Sequence, residues 1–357
     1  MNKRKKVLCI TRKYPPQVGG MENFCYHVFN GFDERIIDKK IIALGKHQIN
    51  LVWFFPYVLF YVMINIRKYD VLLIGDSVLC FLGNVAKLCS RKTKRKIIIY
   101  GLDFLFDNSV YQLYLKMWLK HSADEYVCIS KGTRDALEAK GILCTSVITP
   151  GIEVTANQHI SEETSARFKS KYSINDNDLI IITVGRLVKR KGVEWFIRNV
   201  MSRLNDYPVH YLVIGDGNEK ENIDAVIGSC QLNNVHLLGR ISEEELLECY
   251  SVADVFVMPN IHVENDMEGF GIVAVEASAA GLIVLASGIE GISDAVIDEK
   301  NGYLLDSENV EMYEQKIKEI LENRLYFKSK AKEFQQYTIE IYSWETICKK
   351  YTEFVSN

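Results

Sequence analysis

Residues 179–192 read LIIITVGRLVKRKG, six apolar or β-branched residues that break into a glycine turn carrying four cations. A short, bounded run rich in Ile and Val predicts a strand buried on both faces, as in a parallel sheet. The pattern recurs towards the C-terminus as VHYLVIGDG (209–217), VHLLG (235–239), DVFVMPN (254–260) and LIVLAS (282–287). Between these runs the apolar spacing turns helical from Val193, over 219–230, over 243–251 and over 272–280. Towards the N-terminus, KKVLCIT (5–11), KKIIAL (39–44), DVLLIGD (70–76), KIIIYG (96–101), DEYVCIS (124–130) and SVITPGI (146–152) are further strand candidates. They alternate with helical patterns from Met21, over 51–67, over 78–89, near 109–121 and from Lys131 or Gly132. Such alternation means a parallel sheet with helices on both faces, and it runs twice.

A chain of 357 residues has room for two domains at roughly 150 residues each. The polar, aperiodic stretch EVTANQHISEE (153–163) reads as the linker. The predicted fold class is α/β, with two Rossmann-like doubly wound domains facing across a cleft. Their predicted extents are 1–160 and 161–335, with 336–357 a terminal helix packing back towards the first domain on a stripe of Trp344, Ile347, Tyr351 and Phe354. Open sheets of this kind bind ligands at the carboxyl ends of their strands, so the cleft is the expected site.

Apolar residues at 48%, with 22 Gly and 6 Pro, exclude disordered and fibrous classes. Nine cysteines, an odd number with no C-x-x-C pair, predict reduced thiols, a cytoplasmic protein and no zinc site. The net charge of −3 hides a division of sign. Residues 1–155 carry 23 Lys and Arg against 13 Asp and Glu, and residues 156–357 carry 20 against 33. A basic first half suits nucleic acid, a phosphate-bearing substrate or anionic lipid headgroups, and equally a solvated face. The opening MNKRKKVLCITRKYPP has too short an apolar stretch for a signal peptide. The longest apolar run, Leu51 to Ile66, is sixteen residues broken by Pro56 and Asn65, short of the roughly 20 a spanning helix needs. Core packing is the preferred reading of its aromatic residues, with an interfacial helix as the alternative.

Three constellations carry chemistry. Gly19-Gly20 follows the first strand and opens a helix, where backbone amides converge on an anion or form a plain turn. Arg186 and Lys191 flank the turn after 179–184, placed to clamp a diphosphate and neutralise charge as it leaves, or to stand solvated. The sharpest is EGFGIVAVE (268–276), in which Glu268 precedes a Gly-x-Gly turn and Glu276 lies within the helix that follows. An acid on that apolar helix needs donors such as ribose hydroxyls. No Walker loop, H-E-x-x-H or G-x-S-x-G is present, and Gly215-Asp216-Gly217 lacks the third glycine of a dinucleotide fingerprint. His27 and His262 lie near the predicted cleft loops.

In order, the Gly-Gly loop, the G-R-L-x-x-x-K-G turn and the E-x7-E helix resemble family 4 of the retaining, GT-B-fold glycosyltransferases, and the likeness runs through LLGRISEEELLECYSVADVFVMPN to the terminal SWE helix. The resemblance implies transfer of a hexose or N-acetylhexosamine from a UDP- or GDP-linked sugar to a saccharide or lipid-linked acceptor, with retention, no resident metal and no nucleic acid partner. It implies an acceptor-binding first domain and a nucleotide-sugar-binding second domain, in cell-surface polysaccharide or glycolipid synthesis. By the same resemblance Arg186, Lys191 and Glu268 are catalytic, holding the leaving diphosphate and the hexose hydroxyls. Glu276 holds the ribose, and Gly269, Phe270 and Gly271 approach through the backbone. Gly20 is a donor contact of the first domain, and Arg240 and Ile241 touch the nucleobase. Tyr100 stands where many members have His, and with Asp103 it is the acceptor-side candidate. Peripheral contact with the inner face of an anionic membrane is expected through Lys3–Lys6, Arg91–Lys96 and the aromatic run 51–66. A non-catalytic sugar-nucleotide scaffold and a sugar-nucleotide epimerase remain the competing readings.

Overall fold

The structure, a computed structural model, describes residues 4–45, 50–101, 104, 106, 108–153, 160–264 and 266–357. It divides into two units, Met1–Gly151 with Tyr342–Asn357, and Ile152–Ile341.

In the N-terminal unit, β1 (Lys5–Thr11), β2 (Ile37–Ala43), β3 (Val71–Ile74), β4 (Lys94–Ile99), β5 (Glu125–Cys128) and β6 (Ser146–Val147) pair in parallel in the order β2-β1-β3-β4-β5-β6. Val7 to Ile10, Val71 to Ile74 and Ile97 to Ile99 are fully buried, because helices cover both faces. Helices Leu51–Asn65, Phe81–Cys89, Ser109–Trp118 and Lys131–Ala139 pack on one face. Helix Gly20–Asn30 and the terminal helix Trp344–Ser356 pack on the other, where Ile347, Tyr351 and Val355 repeat at helical spacing. Lysines close the terminal helix. The fully buried Lys96 donates to Glu125 Oε2 at 2.8 Å and to the Phe354 carbonyl, while Lys5 and Lys94 donate to the carbonyls of Ser356 and Asn357. Cations here satisfy the helix's last carbonyls and oppose its dipole.

The basic run expected at the surface is thus divided. Arg91, Lys92 and Lys94 are exposed, but Arg95 is buried, pairing with Asp124 and donating Nε to its Oδ2 at 3.1 Å, and Lys96 is buried with Glu125. Strand β4 turns these two side chains inward, and each charge stays only because an acid lies opposite. Helix Leu51–Asn65 also departs from the preferred core reading. Phe54, Val58 and Val62 are buried, whereas Trp53, Tyr57, Phe60 and Ile64 are exposed.

In the C-terminal unit, β7 (Leu179–Val184), β8 (Val209–Ile214), β9 (Val235–Gly239), β10 (Val255–Met258), β11 (Ile283–Ser287) and β12 (Tyr303–Leu305) pair in parallel in the order β12-β11-β10-β7-β8-β9. Counted from β7, this is the 3-2-1-4-5-6 order of the doubly wound Rossmann sheet. Helices Val193–Asn199, Lys220–Ser229, Val310–Glu322 and Arg324–Tyr342 cover one face. Glu162–Lys171, Glu243–Val252, Ile272–Ala279 and Ile292–Ala295 cover the other. All nine cysteines are free thiols.

Tyr351 is fully buried between the terminal helix and the first sheet. Tyr351→Ala should lower the unfolding free energy of the N-terminal unit by about 3–5 kcal/mol. Urea unfolding followed separately in each unit checks this, and the C-terminal unit should keep its midpoint.

Candidate active site

In the C-terminal sheet the winding reverses between β7 and β10, the switch point at which such sheets bind ligands. The turns leaving those two strands, 185–192 and 259–271, are locked together by close backbone approach. Gly192 has φ +64°, and a Cβ there would stand 1.9 Å from the Pro259 carbonyl oxygen. At Gly217 a Cβ would stand 2.1 Å from the Leu187 carbonyl oxygen. Only glycine fits such contacts, so the Gly-Asp-Gly stretch serves to seat the β8 turn against the β7 turn. The Ile261 amide then donates to the Arg190 carbonyl at 3.0 Å.

Four charges from these turns form one cluster. Lys191 Nζ donates to Glu268 Oε2 at 2.6 Å, Arg190 Nη1 donates to the same oxygen, and Arg190 Nε donates to Asp266 Oδ1 at 2.9 Å. Arg190 and Lys191 are buried. Asn260, also buried, brings its Nδ2 to 3.4 Å from Glu268 Oε2, while its Oδ1 has no hydrogen-bond partner among the described residues. Glu290 accepts from the Glu268 amide. Burying charge is costly unless it is paired and hydrogen-bonded, and here two cations meet two anions. Burial pushes the Glu268 carboxyl up, but Lys191 and Arg190 overcome it and hold the pKa below the usual carboxylate range. Burial pulls Lys191 down, and Glu268 restores only part of the loss. An ammonium has three N–H donors, of which Glu268 takes one. The cluster therefore pairs an ionised carboxylate, able to accept from hydroxyls, with a cation that keeps donors for an oxyanion.

Arg186 is exposed, makes no ion pair among the described residues, and stands close enough to Lys191 to depress its pKa. Gly271 caps helix Ile272–Ala279, Phe270 is buried, and a Cβ at Gly269 would meet nothing within 4 Å. The structure thus brings Lys191 and Glu268 together, with Arg186 near Lys191 and 269–271 following Glu268 in the chain. Arg240 follows β9, exposed and 3.5 Å from Asp216, beside a half-buried Ile241. In the N-terminal unit, Gly20 opens helix Gly20–Asn30, and a Cβ there would meet nothing within 4 Å. Tyr100 is packed in that unit's core, its hydroxyl 3.2 Å from Cys25 Sγ and its ring edge-on to Phe24. Asp103 lies outside the described residues. His27 stacks on Trp344 with ring centroids 4.5 Å apart, and His262 Nδ1 lies 3.6 Å from Glu290 Oε1. Sequence reasoning did not single out Arg190, Asp266, Asn260 or Glu290 as site residues. The available signal was a buried glutamate facing a turn of four cations, which calls for more than one donor.

Glu276 reaches solvent, yet protein crowds its carboxyl; this desolvation, reinforced by Glu153, raises its pKa to about 7. Beside it, the Tyr250 hydroxyl is buried with no hydrogen-bond partner among the described residues. A carboxylate and a phenol, both short of partners, suit a polyhydroxyl group.

Two doubly wound parallel units, each with its own six-stranded sheet, are the architecture of the GT-B fold. Residues 164–340, most of the C-terminal unit, match the family model described as "Glycosyl transferases group 1". An uncharacterised glycosyltransferase of Methanocaldococcus jannaschii is 25% identical, with 97% of this chain and 96% of that protein aligned. A GDP-mannose-dependent alpha-(1-6)-phosphatidylinositol monomannoside mannosyltransferase of Mycobacterium tuberculosis is 26% identical over 53% of this chain and 50% of its own length. The crystal structure of Anabaena HepE in complex with UDP superposes with a TM-score of 0.78 at 16% identity, covering 98% of this chain and 99% of that one.

Arg190→Met removes one of two cations from a buried carboxylate. It should cost about 3 kcal/mol in the unfolding of the C-terminal unit, measured by urea titration. The Glu276 prediction concerns pH. Its folded pKa of about 7 lies above the ordinary 4.5, so the folded state binds more protons between those values and its stability falls as pH rises from 4.5 to 7. Glu276→Gln should flatten that slope in thermal melts recorded from pH 4.5 to 8.

Proposed function

We propose that the protein is a retaining hexosyltransferase that moves a hexose or N-acetylhexosamine from a UDP- or GDP-linked sugar to a saccharide or lipid-linked acceptor. The observation that carries the reading is the Lys191–Glu268–Arg190 cluster at the strand switch, with exposed Arg186 beside it. Arg186 and Lys191 bind the diphosphate and stabilise the negative charge that grows as it departs. Glu268, held ionised, accepts hydrogen bonds from the sugar hydroxyls and fixes the ring. Glu276 and Tyr250 take the ribose, the backbone of 269–271 approaches sugar and phosphate, and Arg240 and Ile241 border the base.

Retention follows if the acceptor attacks the face from which the diphosphate leaves, the departing phosphate oxygen taking the acceptor proton. That path needs no protein nucleophile, and the chain's cations supply the charge stabilisation without a resident metal. The relative described as GDP-mannose-dependent and the UDP-bound HepE structure support the two donor classes. The phosphatidylinositol monomannoside in that relative's name supports a lipid-linked acceptor. We place the reaction at the cytoplasmic side of a membrane, in cell-surface polysaccharide or glycolipid synthesis.

The test is calorimetry of UDP, GDP, ADP and their hexose derivatives with EDTA present, on wild type and Arg186→Ala. Binding of one nucleotide, weakened at least about tenfold in the variant as expected for a lost charge-assisted contact, supports the clamp. Binding by none of them overturns it. Once the donor is known, NMR of the product's anomeric proton distinguishes retention from inversion.

A further inference from the structure

A surface helix ordinarily turns a charged face to water. Helix Leu51–Asn65 contains no charged residue at all. Its inward face, Phe54, Val58 and Val62, is committed to the core, and its outward face presents Val52, Trp53, Tyr57, Phe60, Met63 and Ile64, with Trp53 78% and Ile64 72% exposed. Helix Ser109–Trp118, packed on the same face of the sheet, adds exposed Val110, Leu113 and Met117 at helical spacing, and Leu88 on helix Phe81–Cys89 is 87% exposed. Exposed apolar surface of this extent marks an interaction site.

The charges around it identify the partner. Arg67, Lys68, Lys87, Lys116 and Lys120 are exposed, and none is in an ion pair among the described residues. From 51 to 120 the described acids are Asp70 and Asp76, and Asp76 is buried against Arg12. A protein-docking surface is depleted in lysine, and a second copy presenting the same face would set one set of cations against another. Trp and Tyr beside Lys and Arg, around an apolar centre, match the interface of an anionic bilayer. The helix does not cross it. Its 15 residues span roughly 22 Å against a hydrocarbon core of about 30 Å, and one face belongs to the protein core.

We propose that the outer face of these helices docks on an anionic lipid surface, with helix Leu51–Asn65 lying in the headgroup plane and its exposed aromatic residues inserted. The docking deepens the reading of a lipid-linked acceptor but is measured without turnover, so the two fail separately.

The experiment is flotation of the full-length protein with vesicles of equal parts phosphatidylglycerol and phosphatidylcholine, and with phosphatidylcholine alone. Wild type should float with the anionic vesicles, less so as salt rises. The triple variant Trp53→Ser, Phe60→Ser, Ile64→Ser should partition at least about tenfold less, as should the variant with Arg67, Lys68, Lys87 and Lys116 changed to Gln. Arg95 is left intact because it is paired with Asp124 in the core. The substituted side chains are exposed, and unchanged thermal melts and nucleotide binding will show both variants folded. In wild type, bromine-labelled lipid should quench tryptophan fluorescence, and Trp53→Phe should remove most of that quenching. Absence of wild-type binding to anionic vesicles overturns the proposal, as does unchanged binding by the folded triple variant. A stable dimer dispersed by the same three substitutions would assign the face to a second copy and overturn it as well.

Discussion

The C-terminal unit is organised around a buried carboxylate that two cations compete for. Glu268 accepts from both Lys191 and Arg190, and the carboxylate and its two cations come from turns that follow different strands at the sheet's switch point. Such a cluster is stable only when every member is paired, which explains the surrounding detail. Asp266 balances Arg190, Glu290 holds the Glu268 amide, and the backbone at Gly192 is pressed against Pro259 so that the two turns cannot separate. The chemistry and the local fold therefore share one constraint. The geometry that keeps Glu268 ionised also holds Lys191 in the turn it shares with the exposed Arg186.

The N-terminal unit uses the same device at its own reversal, between β1 and β3. Arg12 Nε donates to the fully buried Asp76 at 2.9 Å, and the Arg12 amide donates to its other oxygen at 2.9 Å. Beyond those paired with acids, such as Arg95 with Asp124 and Lys13 with Glu22, two groups of its cations stand out. Those at the start of β1 and β4 hold the last turn of the terminal helix, and those on the outer helices stay in solvent beside apolar side chains. The excess of positive charge in the first half of the chain is thus partly structural and partly a surface property.

Most of the fold was legible in the sequence because strand formation in a parallel sheet is governed by a local property, a short run of β-branched residues between glycine turns. LIIITV and LIVLAS are such runs, and each became a strand within a residue of its expected limits. Strand Tyr303–Leu305 escaped because three residues carry no period. At the site, Lys191 and Glu268 were legible from their turns, whereas Arg190, Asp266, Asn260 and Glu290 were not, because their roles come from which turns the topology brings together. Arg95 and Lys96 illustrate the converse, since a run of cations reads as surface until the sheet places Asp124 and Glu125 opposite. Helix Leu51–Asn65 was legible as core or interface but not as both at once, because a uniformly apolar helix carries no periodicity from which to tell its buried face from its exposed one.

The central claim is that Lys191 and Glu268 act as one unit on the nucleotide sugar. A double-mutant cycle tests it most directly, with Lys191→Met and Glu268→Gln alone and together, read as calorimetric affinity for whichever nucleotide-diphosphate sugar the wild type binds. Coupled residues lose affinity non-additively, and the arrangement predicts an interaction energy of about 0.5–3 kcal/mol. Losses that simply add, or a donor affinity indifferent to both substitutions, would contradict the account and move the donor site away from the β7–β10 switch.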